Sequence, residues 1–143
     1  MLRGEEAFPP CADGTPLDET LELYIQSCAI CSTCEAMATM ASTLANGGLN
    51  PFTGEAVFAP EHVRMLLPLM LTCGMNDSSG KWAYEVGVPG KAGSSGVIFM
   101  VIPNVGGICI WSPRLDHSGN SVRGVATAEQ LARRLSIHNF EVT

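Results

Sequence analysis

Apolar positions recur at helical spacing in the first half of this chain, then merge into one short continuous run in the second half. Leu21, Ile25 and Cys28 stand three or four apart, which predicts a helix opening at Leu17. Asp18, Glu19 and Glu22 lie near its start, where negative charge complements the helix dipole. A second helix is expected after Ser32-Thr33-Cys34-Glu35, a capping-box pattern in which hydroxyl and glutamate take up free N–H groups. Its interior is made of small side chains, which let neighbours approach closely. We place it at the centre of a helical cluster, ended by Asn46-Gly47-Gly48. A third helix starts at Pro60 and runs through Leu66, Leu67 and Leu71 to Cys73-Gly74. Pro68 is expected to kink it. The last helix, about Thr127–Ile137, turns Leu131 and Leu135 inward and Arg133 and Arg134 outward.

Val97–Ile102 is the longest uninterrupted apolar stretch and has the length of a strand. Continuous rather than alternating, it predicts cover on both faces. With Ile108–Trp111 and the intervening Pro103-Asn104-Val105-Gly106-Gly107 it reads as a β-hairpin. Before it, Gly87–Gly96 is a glycine-rich loop, and after it Ser112–Gly124 is a polar one. Residues 1–16, with Pro9-Pro10 and Asp13-Gly14, are expected to be irregular. Helices first, then a hairpin, then a helix make an α+β chain.

Composition narrows the function. Charged residues are 15% of the 143, below the roughly 25% of ordinary domains, and apolar residues are 46%, which excludes a disordered chain. The net charge of −6 and the lack of basic clusters repel phosphate, so no nucleic-acid partner is expected. No apolar run approaches the ~20 residues of a membrane helix, so no membrane partner is expected either. The first six residues carry no apolar stretch of the signal-peptide kind, and the expected location is intracellular with reduced thiols.

Three patterns carry chemistry. Cys28-x-x-Cys31-x-x-Cys34 has ligand-like spacing and would suit a small metal or redox module. The same spacing also places buried thiols on one helix face as small hydrophobes. Second, Lys91 between Gly90 and Ala92-Gly93, just before the core strand, could supply a fixed cation beside a strand edge offering N–H groups to an anion. It is equally read as a solvated lysine on a turn. Third, Arg114, Asp116, Asn120 and Arg123 make either a binding loop or a connection held by its own Asx-turns. His62, His117 and His138 are scattered, and no HExxH, Gly-x-Ser-x-Gly elbow, Ser-x-x-Lys or Ser/His/Asp set is expected.

Five ordered blocks then resemble a known family. They are Leu44–Gly48, Asn50–Glu55, Cys73–Gly80, Val86–Gly93, and Ser112–Asp116 with Gly119–Gly124. In this order and spacing they are similar to the C-terminal half of the serine-dependent glutaminases, from about Phe8 to Val142. The resemblance implies a β-lactamase/penicillin-binding-like fold, with residues 17–143 forming the C-terminal part of that domain and the domain incomplete. It implies hydrolysis of L-glutamine to L-glutamate and ammonia through an acyl-enzyme, on a serine whose Ser-x-x-Lys block lies upstream of the matched segment. By position, Tyr24, Asn76 and Ser94 correspond to groups that contact glutamine, and Lys91, Ala92 and Gly93 to the site loop. Asn76 stands where the family usually has a tyrosine, and an amide cannot do a phenol's acid–base work. Ala92 stands where the family has a serine. No catalytic residue is therefore expected in this chain, no metal and no cofactor. The implied partners are L-glutamine and a homo-oligomer or a full-length glutaminase subunit, in cytoplasm or mitochondrion. Alternatives are an inactive homologue or assembly partner, and, from another class, the cysteine-based metal or redox module.

Overall fold

The computed structural model describes residues 17–141. The sequence expectations for residues 1–16 lie outside the described residues. The described chain falls into two compact units, one ending at Ser32 and one beginning at Thr33.

The first unit holds helix α1, Leu17–Cys28. Gln26 Nε2 donates to Glu22 Oε1 at 3.1 Å, and the Ser27 hydroxyl donates to the Leu23 carbonyl at 2.8 Å. Leu21 and Ile25, the expected apolar stripe, are both exposed.

The second unit is built on a three-stranded antiparallel sheet in the order β1 (Gly90–Ala92), β2 (Val97–Ile102), β3 (Gly106–Trp111). In β2 the two sides alternate by the strand's period of two. Ile98, Met100 and Ile102 join Met75, Trp82, Val86, Val88, Ala128 and Ala132 on one face. Val101 joins Ala41, Leu44, Ala45, Val63 and Met70 on the other, with Phe99 and Leu67 packed against them. The apolar run is thus covered on both faces, as its lack of alternation predicts. Burying each large aliphatic side chain is worth roughly 1.5–3 kcal/mol. The exposed ion pairs Lys81–Glu129 (3.5 Å) and Arg133–Glu85 (3.0 Å) are each worth about 0–1 kcal/mol, so the sheet's two cores dominate.

Helices α2 (Cys34–Ala45) and α3 (Pro60–Cys73) cover one face, and α4 (Ser79–Glu85) and α5 (Val122–Leu135) cover the other. Several expectations are corrected. The cap of α2 is Thr33, one residue later than Ser32, with its hydroxyl accepting from Ala36 N at 3.1 Å. The small residues of α2 serve the sheet rather than a helical cluster. Gly107 of β3 sits against Ala41 and the Ser42 backbone so closely that a Cβ would overlap both. The Gly107 N–H donates to Ser42 Oγ at 2.9 Å. In α3 the inward face is Val63, Leu67 and Met70, one turn apart each, while Leu66 is partly exposed. α5 begins five residues earlier than expected, at Val122, because the Ser121 hydroxyl caps it by accepting from Gly124 N. Its buried residues are Gly124, Ala128 and Ala132; Leu131 packs against the core as expected, and Leu135 is exposed. α4 and β1 were not expected. Both are too short for a periodic signal, and β1 lies inside the glycine-rich stretch.

Two outcomes follow from this packing. Gly107→Ala should lower the urea midpoint of the second unit by an amount worth about 1–3 kcal/mol, since the overlap is with backbone that cannot rotate away. Cys109 sits on the α2 side of β3, and burial first, then the hydrogen bond and charge of Cys34, push its thiol from 9.0 up to about 12. The folded state therefore keeps a proton that the unfolded chain gives up. This contribution is complete below pH 9 and is lost as pH rises toward 12. Urea titrations across that range should show falling stability, and Cys109→Ala should flatten the fall.

Candidate functional site

The segment that leaves α3 lies against β1. The Ala92 N–H donates to the Gly74 carbonyl at 3.0 Å, and a Cβ on Gly74 would overlap the Gly90 carbonyl. Only glycine allows this approach. The chain then turns at Asn76, whose φ of +52° is left-handed, a conformation asparagine tolerates better than most residues. A single 3₁₀ turn, Asn76–Ser78, follows and leads into α4.

The turn is clamped from the polar loop between β3 and α5. Asn76 Nδ2 donates to the Ser118 carbonyl at 3.0 Å and to Asn120 Oδ1 at 3.2 Å. Asn120 is completely buried, and its Nδ2 donates to the Met75 carbonyl at 3.0 Å. The loop is held in turn by Asp116, whose Oδ1 accepts from the N–H groups of Ser118 and Asn120, each at 2.9 Å. The Asx-turn reading of this loop therefore describes it. Ser79, also buried, closes the turn from below by accepting from Met75 N and donating to the Asn76 carbonyl.

The structure brings Asn76 and the Lys91–Gly93 stretch onto neighbouring backbone, through the Gly74–Ala92 hydrogen bond. Lys91 is exposed, and its ammonium folds back to donate to the Ala92 carbonyl. Ala92 is buried in the core beside Met75. The Gly93 N–H donates to the Val97 carbonyl at 2.9 Å. The amides of Ala92 and Gly93 are thus bonded within the protein. Ser94 is exposed in the turn between β1 and β2. Tyr24 is on α1, in the first unit. It is exposed, and the Cys28 thiol, hydrogen-bonded one turn further on, raises its phenol above the ordinary value.

Asn120 is the residue whose weight sequence reasoning missed. It reads as one loop polar among several, and only burial shows that it ties two segments together. The expectation that the chain holds no Ser-x-x-Lys spacing is corrected, since Ser78-Ser79-Gly80-Lys81 has that form. It forms no nucleophile–base pair. The Ser78 hydroxyl is hydrogen-bonded to Ser118 Oγ at 3.1 Å, and Lys81 is ion-paired with Glu129. No group of three or more His, Cys, Asp or Glu among the described residues is placed to hold a metal ion. Cys28, Cys31 and Cys34 are exposed free thiols rather than buried hydrophobes. No described helix is long and apolar enough to cross a membrane.

The family model for Glutaminase matches residues 6–140. The chain belongs to the glutaminase family. It is 48% identical to the glutaminase of Nostoc sp. over 87% of its own length and 37% of that protein. It is 44% identical to the mitochondrial liver isoform of glutaminase from Rattus norvegicus over 98% of its length and 23% of that protein. A solved structure of a Bacillus subtilis glutaminase, in covalent complex with 5-oxo-L-norleucine, superposes with a TM-score of 0.84 at 38% identity. That match covers 87% of this chain and 44% of the Bacillus one. The chain therefore spans less than half the length of these glutaminases, and its β-lactamase-like α+β fold is an incomplete one.

If Asn120 ties the Met75–Asn76 turn to the loop, truncating it strands the buried Met75 carbonyl and removes one acceptor of the Asn76 amide. Asn120→Ala should cost about 2–3 kcal/mol, close to the upper end for an unsatisfied buried group. Asn76→Gly keeps the left-handed turn and should cost about 1 kcal/mol. Equal losses in urea titrations of the two variants would contradict the hub role.

Proposed function

We propose that residues 17–143 form the C-terminal part of a glutaminase domain, which hydrolyses L-glutamine to L-glutamate and ammonia. The supporting observation is the family match over residues 6–140, with the covalent ligand complex of the Bacillus relative beside it. A covalent complex of that kind is what a protein nucleophile forms with a reactive substrate-like carbon. In the proposed reaction a serine oxygen attacks the side-chain amide carbon of glutamine. The C–N bond breaks, ammonia leaves with the proton taken from the serine, and water then cleaves the ester to glutamate. The nucleophile belongs to a part of the family's sequence outside this chain. This segment supplies the floor of the site: the Gly74–Asn76 turn, the Lys91–Gly93 stretch and Ser94. By the family resemblance alone, Tyr24 of the first unit is proposed as a glutamine contact. The partners of this reading are L-glutamine and a second glutaminase chain, as a homo-oligomer or a full-length subunit. Cytoplasm or mitochondrion is the proposed location, the latter by likeness to the rat protein.

One local observation favours a second reading, an inactive homologue or assembly partner. Asn76 has no titratable proton and its amide is already committed to the loop, and Ala92 has no hydroxyl.

Glutamate release separates these readings. The 143-residue chain alone should release none from L-glutamine. Mixed with the N-terminal portion of the Nostoc glutaminase it should release glutamate, and replacing the serine of that portion's Ser-x-x-Lys block should abolish the signal. Ser78→Ala should leave it unchanged, and Asn76→Tyr should raise kcat, by about 10²-fold if a phenol moves a proton in the reaction. Glutamate released by the chain alone and lost in Ser78→Ala would overturn the assignment of the nucleophile. No release from the mixture, with Asn76→Tyr equally silent, would favour the inactive homologue.

A further inference from the structure

Helix α2 and strand β3 run past each other in opposite directions. The Asn104 N–H, just before β3, donates to the Ala45 carbonyl at 2.9 Å, whereas Gly107 meets Ala41 and Ser42. As the strand numbers rise, the helix numbers fall. Two residues beyond Gly107 on the same strand face, about 6.7 Å on, is Cys109. Two turns before Ala41 on the same helix face is Cys34, the first residue of α2. The interface is tight because Gly107 has no side chain, and Cys34 and Cys109 lie further along the facing sides of the helix and the strand. Both are free thiols, Cys34 exposed and Cys109 half-buried.

We propose that Cys34 and Cys109 are an oxidation site, closing to a disulfide that staples α2 to β3 when the chain meets a small-molecule disulfide such as oxidised glutathione. The exposed Cys34 reacts first. Its thiol gives up a proton, the sulfur attacks one glutathione sulfur, the S–S bond breaks, and one reduced glutathione leaves. Cys109 then loses its proton and attacks the Cys34 sulfur, and the second reduced glutathione leaves. Two protein thiols are oxidised and one glutathione disulfide is reduced, so atoms and electrons balance. The other described cysteines have other surroundings: Cys28 faces Tyr24, Cys31 donates to the Ala29 carbonyl, and Cys73 lies against the Thr72 hydroxyl.

The test treats the 143-residue chain with oxidised glutathione at mildly alkaline pH, blocks remaining thiols and maps the peptides. A Cys34–Cys109 cross-linked pair should be the dominant species, with two protein thiols lost and two reduced glutathiones released per disulfide. The oxidised chain should have a higher urea midpoint, because a cross-link across a long loop restricts the unfolded state. Cys109→Ser should trap glutathione on Cys34, and Cys34→Ser should leave Cys109 reduced. In concentrated urea the preference for this pair should vanish. Glutathione retained on Cys34 of the unsubstituted chain, Cys34 joined mainly to Cys31 or Cys28, or the same preference in urea would each overturn the proposal.

Discussion

Strand β2 carries apolar side chains on both of its faces, and neither face can be left to water. Ile98, Met100 and Ile102 require one cover, and Phe99 and Val101 require another. Everything else in the second unit answers that demand. α2 and α3 supply small and medium side chains to one side, where close approach is possible. α4 and α5 supply Trp82, Val86, Ala128 and Ala132 to the other. The hydrophobic term is the largest favourable one available to a chain with so few charges. Hydrogen bonds then set the register, as between β1 and the Gly74 carbonyl or between Gly107 and Ser42.

A second constraint follows from the first. Once Met75 is drawn into the core, the backbone on either side of it must find partners in a dry environment. Asn120 and Ser79 provide them, Asn120 by donating to the Met75 carbonyl and Ser79 by accepting from its N–H. The turn that results is left-handed at Asn76, and it lies beside Lys91, Ala92 and Gly93. The proposed floor of the glutaminase site is thus a by-product of burying one methionine next to β1. The approach of α2 to β3 through Gly107 likewise sets Cys34 and Cys109, the proposed thiol pair, on facing sides of the helix and the strand.

The sequence alone was enough for much of this. A continuous apolar run can only be a strand or helix segment buried all round, and its six residues with flanking glycines favoured the strand. Prolines, glycines and hydroxyls placed both ends of α2 and of α3 within a residue or two, because capping chemistry is local. The family was legible because five blocks keep their order and spacing. The inward faces of α3 and α5 were legible only in part, through Leu67 and Leu131. Periodicity names a stripe, but which of two adjacent stripes faces inward depends on the partner, and β2 chose Val63 over Leu66 and Ala132 over Leu135. α4, β1 and the hub at Asn120 exist only through contacts between distant segments, which no window of sequence contains. Local chemistry determined the elements and the family. Burial against β2 decided which side of each element became the core and which polar groups were left to shape the site.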